Sequence, residues 1–203
     1  MGDMTEGGRI AVIGWGSLIW DLDDLAPKVE GEWVFGAGPV LPVEFSRVSR
    51  KRAGALTLVI DPTAGAPVRT AVIASVRNRL DRAVADLAAR ERAPEVLIGR
   101  VAAAPTAPTD AIAPTDAVAA RVAGWCRAEG WAGAVWTDLP SNFEESEGRP
   151  FSVPAAVGYL RSLRGGTLMS AKRYIDEAPR ETDTPLRRAL AADPWWRGLS
   201  DEP

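Results

Sequence analysis

Between Ile10 and Val76 the chain is a succession of short β-rich runs, each stopped by glycine or proline, and this punctuation limits the fold more than any other feature. Ile10-Ala11-Val12-Ile13 empties into Gly14-Trp15-Gly16-Ser17-Leu18, where two glycines free the backbone for a tight turn or for close approach of a ligand. Residues 33–35 and 40–48 read as further strand, with Pro39 and Pro42 better suited to an edge or bend than to a central ladder. Leu56-Thr57-Leu58-Val59-Ile60 is stopped by Asp61-Pro62, and 70–76 is another strand, the two joined by a loop through Gly65 and Pro67. Helical periodicity then takes over. A helix capped by Asn78 runs to about Arg92, with Leu80, Val84 and Leu87 on one side. After a strand at 96–104 and a surface loop rich in Ala, Pro and Thr at 105–114, a helix at 115–129 turns Val118, Val122, Trp125 and Cys126 inward and ends at Gly130. Residues 133–137 form a last strand. In the final third, Ser152 caps a helix bearing Val153, Val157, Leu160 and Leu163 and ended by Gly165-Gly166, followed by helices at 170–178 and 185–191. Strands collected early and helices late predict an α+β fold with a small, mostly antiparallel, barrel-like sheet and flanking helices. The expected organisation is one domain over 9–196, with 1–8 a disordered tail and 151–196 a helical extension packed on the domain.

The residues that are missing restrict the chemistry. With no histidine anywhere in the 203 residues, the usual zinc and haem ligand is absent, and so is the side chain that titrates near neutrality. A general acid or base must be a carboxylate, lysine, tyrosine or cysteine. The single cysteine, Cys126, rules out an internal disulfide, and apolar runs stay far short of the roughly 18 residues a membrane helix needs. A soluble, cytoplasmic protein is expected. The formal charge of −3 gives no global attraction for nucleic acid, and the local cluster Arg47, Arg50, Lys51 and Arg52 reads as a solvated strand end or a small carboxylate site.

Glu91 is the first candidate functional group. It lies four residues beyond Leu87 and seven beyond Val84, so a carboxylate sits on the apolar stripe in the last turn, between Arg90 and Arg92 on the solvent side. A carboxylate pressed against apolar neighbours favours its protonated form and can accept a proton and return it. The plainer alternative is a helix-end glutamate that turns outward or pairs with Arg90 or Arg92. Gly14-Trp15-Gly16-Ser17-Leu18 is the second candidate. It lacks the Lys-Ser/Thr ending of a phosphate loop and the third glycine of a dinucleotide fingerprint, yet its successive N–H groups and the Ser17 hydroxyl suit a small anion nest. A turn that places Trp15 and Trp20 in the core explains it equally well. Cys126 reads as buried packing, Ser17 and Ser141 have no triad partner, and Glu144-Glu145-Ser146-Glu147 has no calcium-loop spacing. Tyr159 and Tyr174 could each lend a phenol to a pocket, core packing with one satisfied hydroxyl being the plainer reading, and the eight tryptophans are an apolar inventory that would also serve a homodimer.

Strand followed by Gly14-Trp15-Gly16-Ser17-Leu18-Ile19-Trp20 resembles the glycine-aromatic-glycine-serine-leucine loop of the gamma-glutamylcyclotransferase-like proteins, which include ChaC-type enzymes. Leu87-Ala88-Ala89-Arg90-Glu91 is similar to that family's helical segment ending in its catalytic glutamate. The resemblance covers roughly residues 10–101 and, more loosely, 133–137. It implies a small barrel of mixed strands, with the glycine turn and Glu91 facing each other across a cavity. The implied chemistry is acyltransferase- or lyase-type: the α-amine of a γ-glutamyl group attacks its own γ-carbonyl, releasing 5-oxoproline and an amine or amino acid. Glu91 would be the general acid/base; Gly14, Trp15, Gly16, Ser17 and Leu18 would hold substrate, with Arg47 or Arg50 assisting at a carboxylate. No metal or cofactor is required. Trp15 stands where many members carry tyrosine, exchanging a hydroxyl for bulk. A non-catalytic binding module on the same scaffold and an amidase acting on a related amide are the competing readings.

Overall fold

The computed structural model describes residues 8–103 and 117–199. In chain order the strands are β1 (Ile10–Gly14), β2 (Val29–Val34), β3 (Val40–Ser49), β4 (Ala55–Ile60), β5 (Ala66–Arg69), β6 (Ala71–Ser75), β7 (Ile98–Ala102) and β8 (Gly133–Thr137). The helices are α1 (Leu80–Glu91), α2 (Ala117–Glu129), α3 (Phe143–Glu147), α4 (Val153–Ser162), α5 (Gly165–Glu177), α6 (Pro185–Ala192) and α7 (Pro194–Arg197). The chain divides into two compact units, one of Met1–Gly14, Asp21–Pro39 and Arg69–Asp138, the other of Trp15–Trp20, Val40–Val68 and Leu139–Pro203.

The first unit is built on a five-stranded sheet in the order β2-β6-β1-β8-β7. β1 is central, antiparallel to β6 and parallel to β8, with Val12 opposite Ile73 on one side and beside Val135 on the other. All five of its residues are buried, so it is apolar without alternation, as a strand covered on both faces must be. α1 turns Ala83, Val84, Leu87 and Ala88 inward, and complete burial of Val84 and Leu87 contributes roughly 1.5–3 kcal/mol each. Its approach is close: a Cβ on Gly133 would lie 3.4 Å from Leu80 Cδ1. Buried Asp86 anchors the helix by accepting from Arg77 Nε at 2.7 Å and pairing with Lys28 Nζ at 3.4 Å. The helix stops where Arg92 adopts a left-handed backbone, φ 51°, and returns its N–H to the Ala88 and Ala89 carbonyls.

The second unit holds a three-stranded sheet, β4-β3-β5. β3 pairs antiparallel with β4, and its register breaks between Glu44 and Arg47. Side chains from elsewhere in the chain bond to β3 in and just beyond this break. Asn142 accepts from Val48 N at 2.7 Å and donates to Val48 O at 3.2 Å, while Ser141 Oγ donates to Ser46 O at 2.8 Å. Glu44, fully buried, accepts from Phe45 N at 2.8 Å and from Leu186 N at 3.3 Å, so a β3 side chain satisfies an orphan donor in the first turn of α6.

Neither sheet closes among the described residues, so the barrel expected from the sequence does not form; the fold is mixed α+β with two open sheets and flanking helices. The edges explain why. β2, one edge of the larger sheet, exposes Glu30 and Glu32 and breaks register around Gly31, whose φ is 78°. β5, an edge of the smaller sheet, is four residues long and contains Pro67, which has no N–H to donate. That short strand was read from the sequence as loop. Asn78 does not cap α1; Arg79 holds the cap position with no side-chain hydrogen bond there, its guanidinium pairing with Asp81. Gly165-Gly166 opens α5 and does not close α4, which ends at Ser162 with Leu163 extended. Glycine costs little in a first turn, where the N–H groups have no intrahelical partner. The start of the 115–129 helix, the 105–114 loop and all but Gly8 of the expected tail lie outside the described residues.

Two stability predictions follow from these contacts. A Cβ on Gly99 would meet the Trp136 ring at 2.0 Å, and that indole is only 1% exposed, so G99A should cost about 1–3 kcal/mol in urea unfolding; a neutral result contradicts this packing. Burial raises Glu44 above the ordinary carboxylate value near 4.5, partly offset by hydrogen bonds from Thr184, Phe45 and Leu186. The unfolded chain therefore loses this proton first as pH climbs, and Glu44 lowers native stability progressively above pH 4.5. E44Q cannot ionise, so its stability relative to wild type should rise between about pH 4.5 and 7 in urea titrations. Parallel profiles would contradict the buried, protonation-favouring site.

Candidate functional site

Glu91 is the last residue of α1, and its side chain is 14% exposed. Its Oε1 accepts from Thr137 Oγ1 at 3.1 Å and from Arg90 Nη1 at 2.7 Å. The Arg90 side chain is 8% exposed: it does not face solvent as α1 periodicity suggested, but folds over the helix end and also donates to the Asp21 carbonyl. Pairing with Arg90, one of the plainer alternatives, is thus what Glu91 does. Arg92 points away and meets Asp23 at 3.1 Å.

The register of the first unit places this carboxylate. β1 and β8 run parallel with Ile13 beside Trp136, and one residue further the same register sets Gly14 beside Thr137. The hydroxyl that holds Glu91 therefore lies at the carboxyl end of two adjacent parallel strands, level with the glycine at which the chain leaves β1. Carboxyl ends of parallel strands are where open α/β sheets place ligands, because the chain departs there and leaves a crevice.

Gly14 and Glu91 belong to the first unit; Trp15, Gly16, Ser17, Leu18, Arg47 and Arg50 belong to the second. Within the second, Trp15 and Leu18 are 5% exposed and Ser17 is half-buried. Ile19 N donates to Gly16 O at 2.9 Å, closing a four-residue turn. Gly16 is tightly set: a Cβ there would lie 3.0 Å from Tyr174 Oη, so the phenol would have to give by a few tenths of an ångström, and 3.5 Å from Leu58. Among the described residues, none accepts from the N–H groups of Gly16, Ser17 or Leu18. Thr182 Oγ1, in the C-terminal extension, donates to Trp15 O at 3.1 Å, and the Trp20 ring meets Tyr174 edge-on at 5.5 Å.

The basic cluster divides. Arg47 Nη1 donates to Pro140 O at 2.6 Å, and burial pulls its guanidinium below the ordinary arginine value. Arg50 is exposed at the head of the Arg50–Arg52 3₁₀ turn. Arg52 instead lies over the Tyr174 ring, 4.8 Å from its centroid, a cation–π contact beside the turn. Arg52, Tyr174 and Thr182 thus join the turn, and Arg90 and Thr137 join Glu91; of these, Thr137 and Thr182 had been given no part in a site from the sequence. Tyr174 and Thr182 are more than 150 residues from Trp15, and no local pattern signals such a contact.

Other candidates are structural. Cys126 is fully buried and its thiol is pushed up to about 11 by desolvation, unsuited to nucleophilic work. Tyr159 Oη donates to Gly54 O at 2.5 Å. Residues 143–147 form the short helix α3, with Glu144 and Glu145 exposed and Phe143 in the core. Among the described residues, no cluster of acidic, cysteine or histidine side chains could hold a metal ion, and no helix is long and apolar enough to cross a membrane. Compared with protein-family models, curated proteins and solved structures, the chain has no match.

Because the Arg90–Glu91 pair is mostly buried, removing one partner strands the other. R90M should destabilise the protein by about 1–3 kcal/mol in urea unfolding, between the values for exposed and fully buried pairs. A change below about 0.3 kcal/mol would place the pair with ordinary surface contacts.

Proposed function

We propose that the protein catalyses intramolecular aminolysis of a γ-glutamyl amide, releasing 5-oxoproline and an amine or amino acid, with Glu91 as general acid and base. One observation carries the reading: the Glu91 carboxylate is held by Thr137 at the carboxyl end of the β1–β8 parallel pair, level with Gly14, where the glycine turn begins. A further feature supports it: the chemistry needs no histidine, and the chain has none.

The substrate arrives with a protonated α-amine, which has no lone pair to attack with. Glu91 takes one proton from that ammonium, and the freed amine attacks the γ-carbonyl carbon, closing a five-membered ring and placing negative charge on the carbonyl oxygen. Glu91 returns the proton to the departing nitrogen, collapse of the intermediate re-forms the carbonyl and breaks the original carbon–nitrogen bond, and Glu91, a carboxylate again, takes the second proton from the ring nitrogen and passes it to the freed amine, which leaves as an ammonium. Water is neither consumed nor released. Because attack is internal, holding the substrate folded supplies a large part of the rate enhancement.

E91Q keeps the shape and removes the titrating proton carrier. Against a panel of γ-glutamyl amino acids, γ-glutamyl amines and glutathione, wild-type protein should release 5-oxoproline, and E91Q should lose at least about a hundredfold in kcat. A fully active E91Q, with product quantified by mass, contradicts the proposal.

A further inference from the structure

We propose that Arg90 is a positioning residue for Glu91: its guanidinium, tethered to the Asp21 carbonyl, sets the orientation of the carboxylate and keeps it while Glu91 alternates between its charged and protonated forms. This rests on the γ-glutamyl reading above, and every residue it invokes lies in the first unit.

Adjacent residues on a helix do not face each other, so the 2.7 Å contact between Arg90 Nη1 and Glu91 Oε1 is not one that α1 by itself provides. It forms because the Asp21 carbonyl accepts from Nη2 of the same guanidinium and draws Arg90 round the helix end. A guanidinium is a rigid planar fork, and holding one terminal nitrogen aims the other. The Arg90 side chain is 8% exposed, so water competes little for its donors. Thr137 Oγ1, from β8, donates to the same carboxylate oxygen at 3.1 Å. Glu91 is thus fixed at its backbone by the last turn of α1 and at Oε1 by two donors, and a side chain held at both ends has few rotamers left.

The tether is well anchored. Residues 21–28 run along α1 in the opposite direction, with Lys28 Nζ 3.4 Å from Asp86, Leu25 only 1% exposed, and Asp23 3.1 Å from Arg92. Its importance lies in turnover. When Glu91 takes a proton, the ion pair loses its attraction, and an arginine held by that pair alone would be released. The Asp21 carbonyl does not titrate, so it retains Arg90 whichever form Glu91 is in. A lysine would have to serve both acceptors from a single nitrogen. Arg90 touches no reacting atom in this scheme and acts only through the carboxylate it orients.

R90K keeps the charge and loses the fork; R90M loses both. With the γ-glutamyl panel as probe, and rates expressed per folded molecule from urea curves, R90M should lose about 10–100-fold in kcat and R90K about tenfold, each with KM within about threefold of wild type. Either variant within about twofold of the wild-type kcat, or a larger rise in KM, overturns the proposal. A readout independent of activity comes from the ¹⁵N–¹H spectrum of the full chain. The Arg90 Nη1 and Nη2 groups, assigned by their loss in R90K or R90M, should give separate peaks in wild type, since a guanidinium bonded at both nitrogens does not rotate freely. They should stay separate in E91A, where the carboxylate is gone and the Asp21 carbonyl is kept. A single averaged peak in either protein overturns the tether. If wild type releases no 5-oxoproline from any probe, the catalytic reading fails, and these spectra alone decide the tether: separate peaks in both proteins keep it, and an averaged peak removes it.

Discussion

The parallel register between β1 and β8 is the constraint on which the candidate site depends. It sets Thr137 level with Gly14, and Thr137 in turn holds the carboxylate that ends α1. Slipping that register by one residue would turn β8 over, sending the Thr137 side chain to the opposite face from α1 and exchanging it for the Trp136 indole. Trp136 resists the slip because it is flattened against the bare backbone of Gly99 on β7. The chemistry assigned to Glu91 therefore rests on apolar packing and strand pairing more than on any feature of the glutamate itself.

The second unit applies the same economy to its turn. Gly16 lies tight against the Tyr174 hydroxyl, Trp20 meets the Tyr174 ring edge-on, and the Trp15 carbonyl is taken by Thr182. Each of these contacts comes from the last third of the chain, so the C-terminal helices are structural support for the turn. Buried Glu44 lies at the root of that support, satisfying the start of α6 at the expense of carrying a desolvated carboxylate in the core.

What the sequence disclosed, it disclosed through local physics. The apolar run 10–13 ending at Gly14, the Leu56 to Ile60 strand halted by Asp61, and the Ser152 cap are all decided within a few residues. Asp61 Oδ1 accepts from Thr63 N and Ala64 N, and Ser152 Oγ accepts from Ala155 N. What it concealed was decided at a distance. The barrel failed because closure depends on whether edge strands find partners, and the Glu30-Gly31-Glu32 edge and the proline in β5 act against that only once the strand order is known. Periodicity placed Glu91 at the inner edge of α1 but put Arg90 in solvent, because α1 alone gives no sign that the Asp21 carbonyl waits to receive it. Thr182 carried no signal at all, and nothing in the sequence tied Tyr174 to the turn, which both residues meet only through the folded path of the chain.

The central claim is that the scissile bond is broken by the substrate's own amine, with Glu91 moving the proton, and the fate of oxygen tests this most directly. In water enriched with heavy oxygen, turnover of a γ-glutamyl amide by the wild-type protein should yield 5-oxoproline carrying no solvent oxygen, since no water enters the reaction. Linear glutamate bearing the heavy label, or substrate recovered unchanged throughout the panel, would contradict the account.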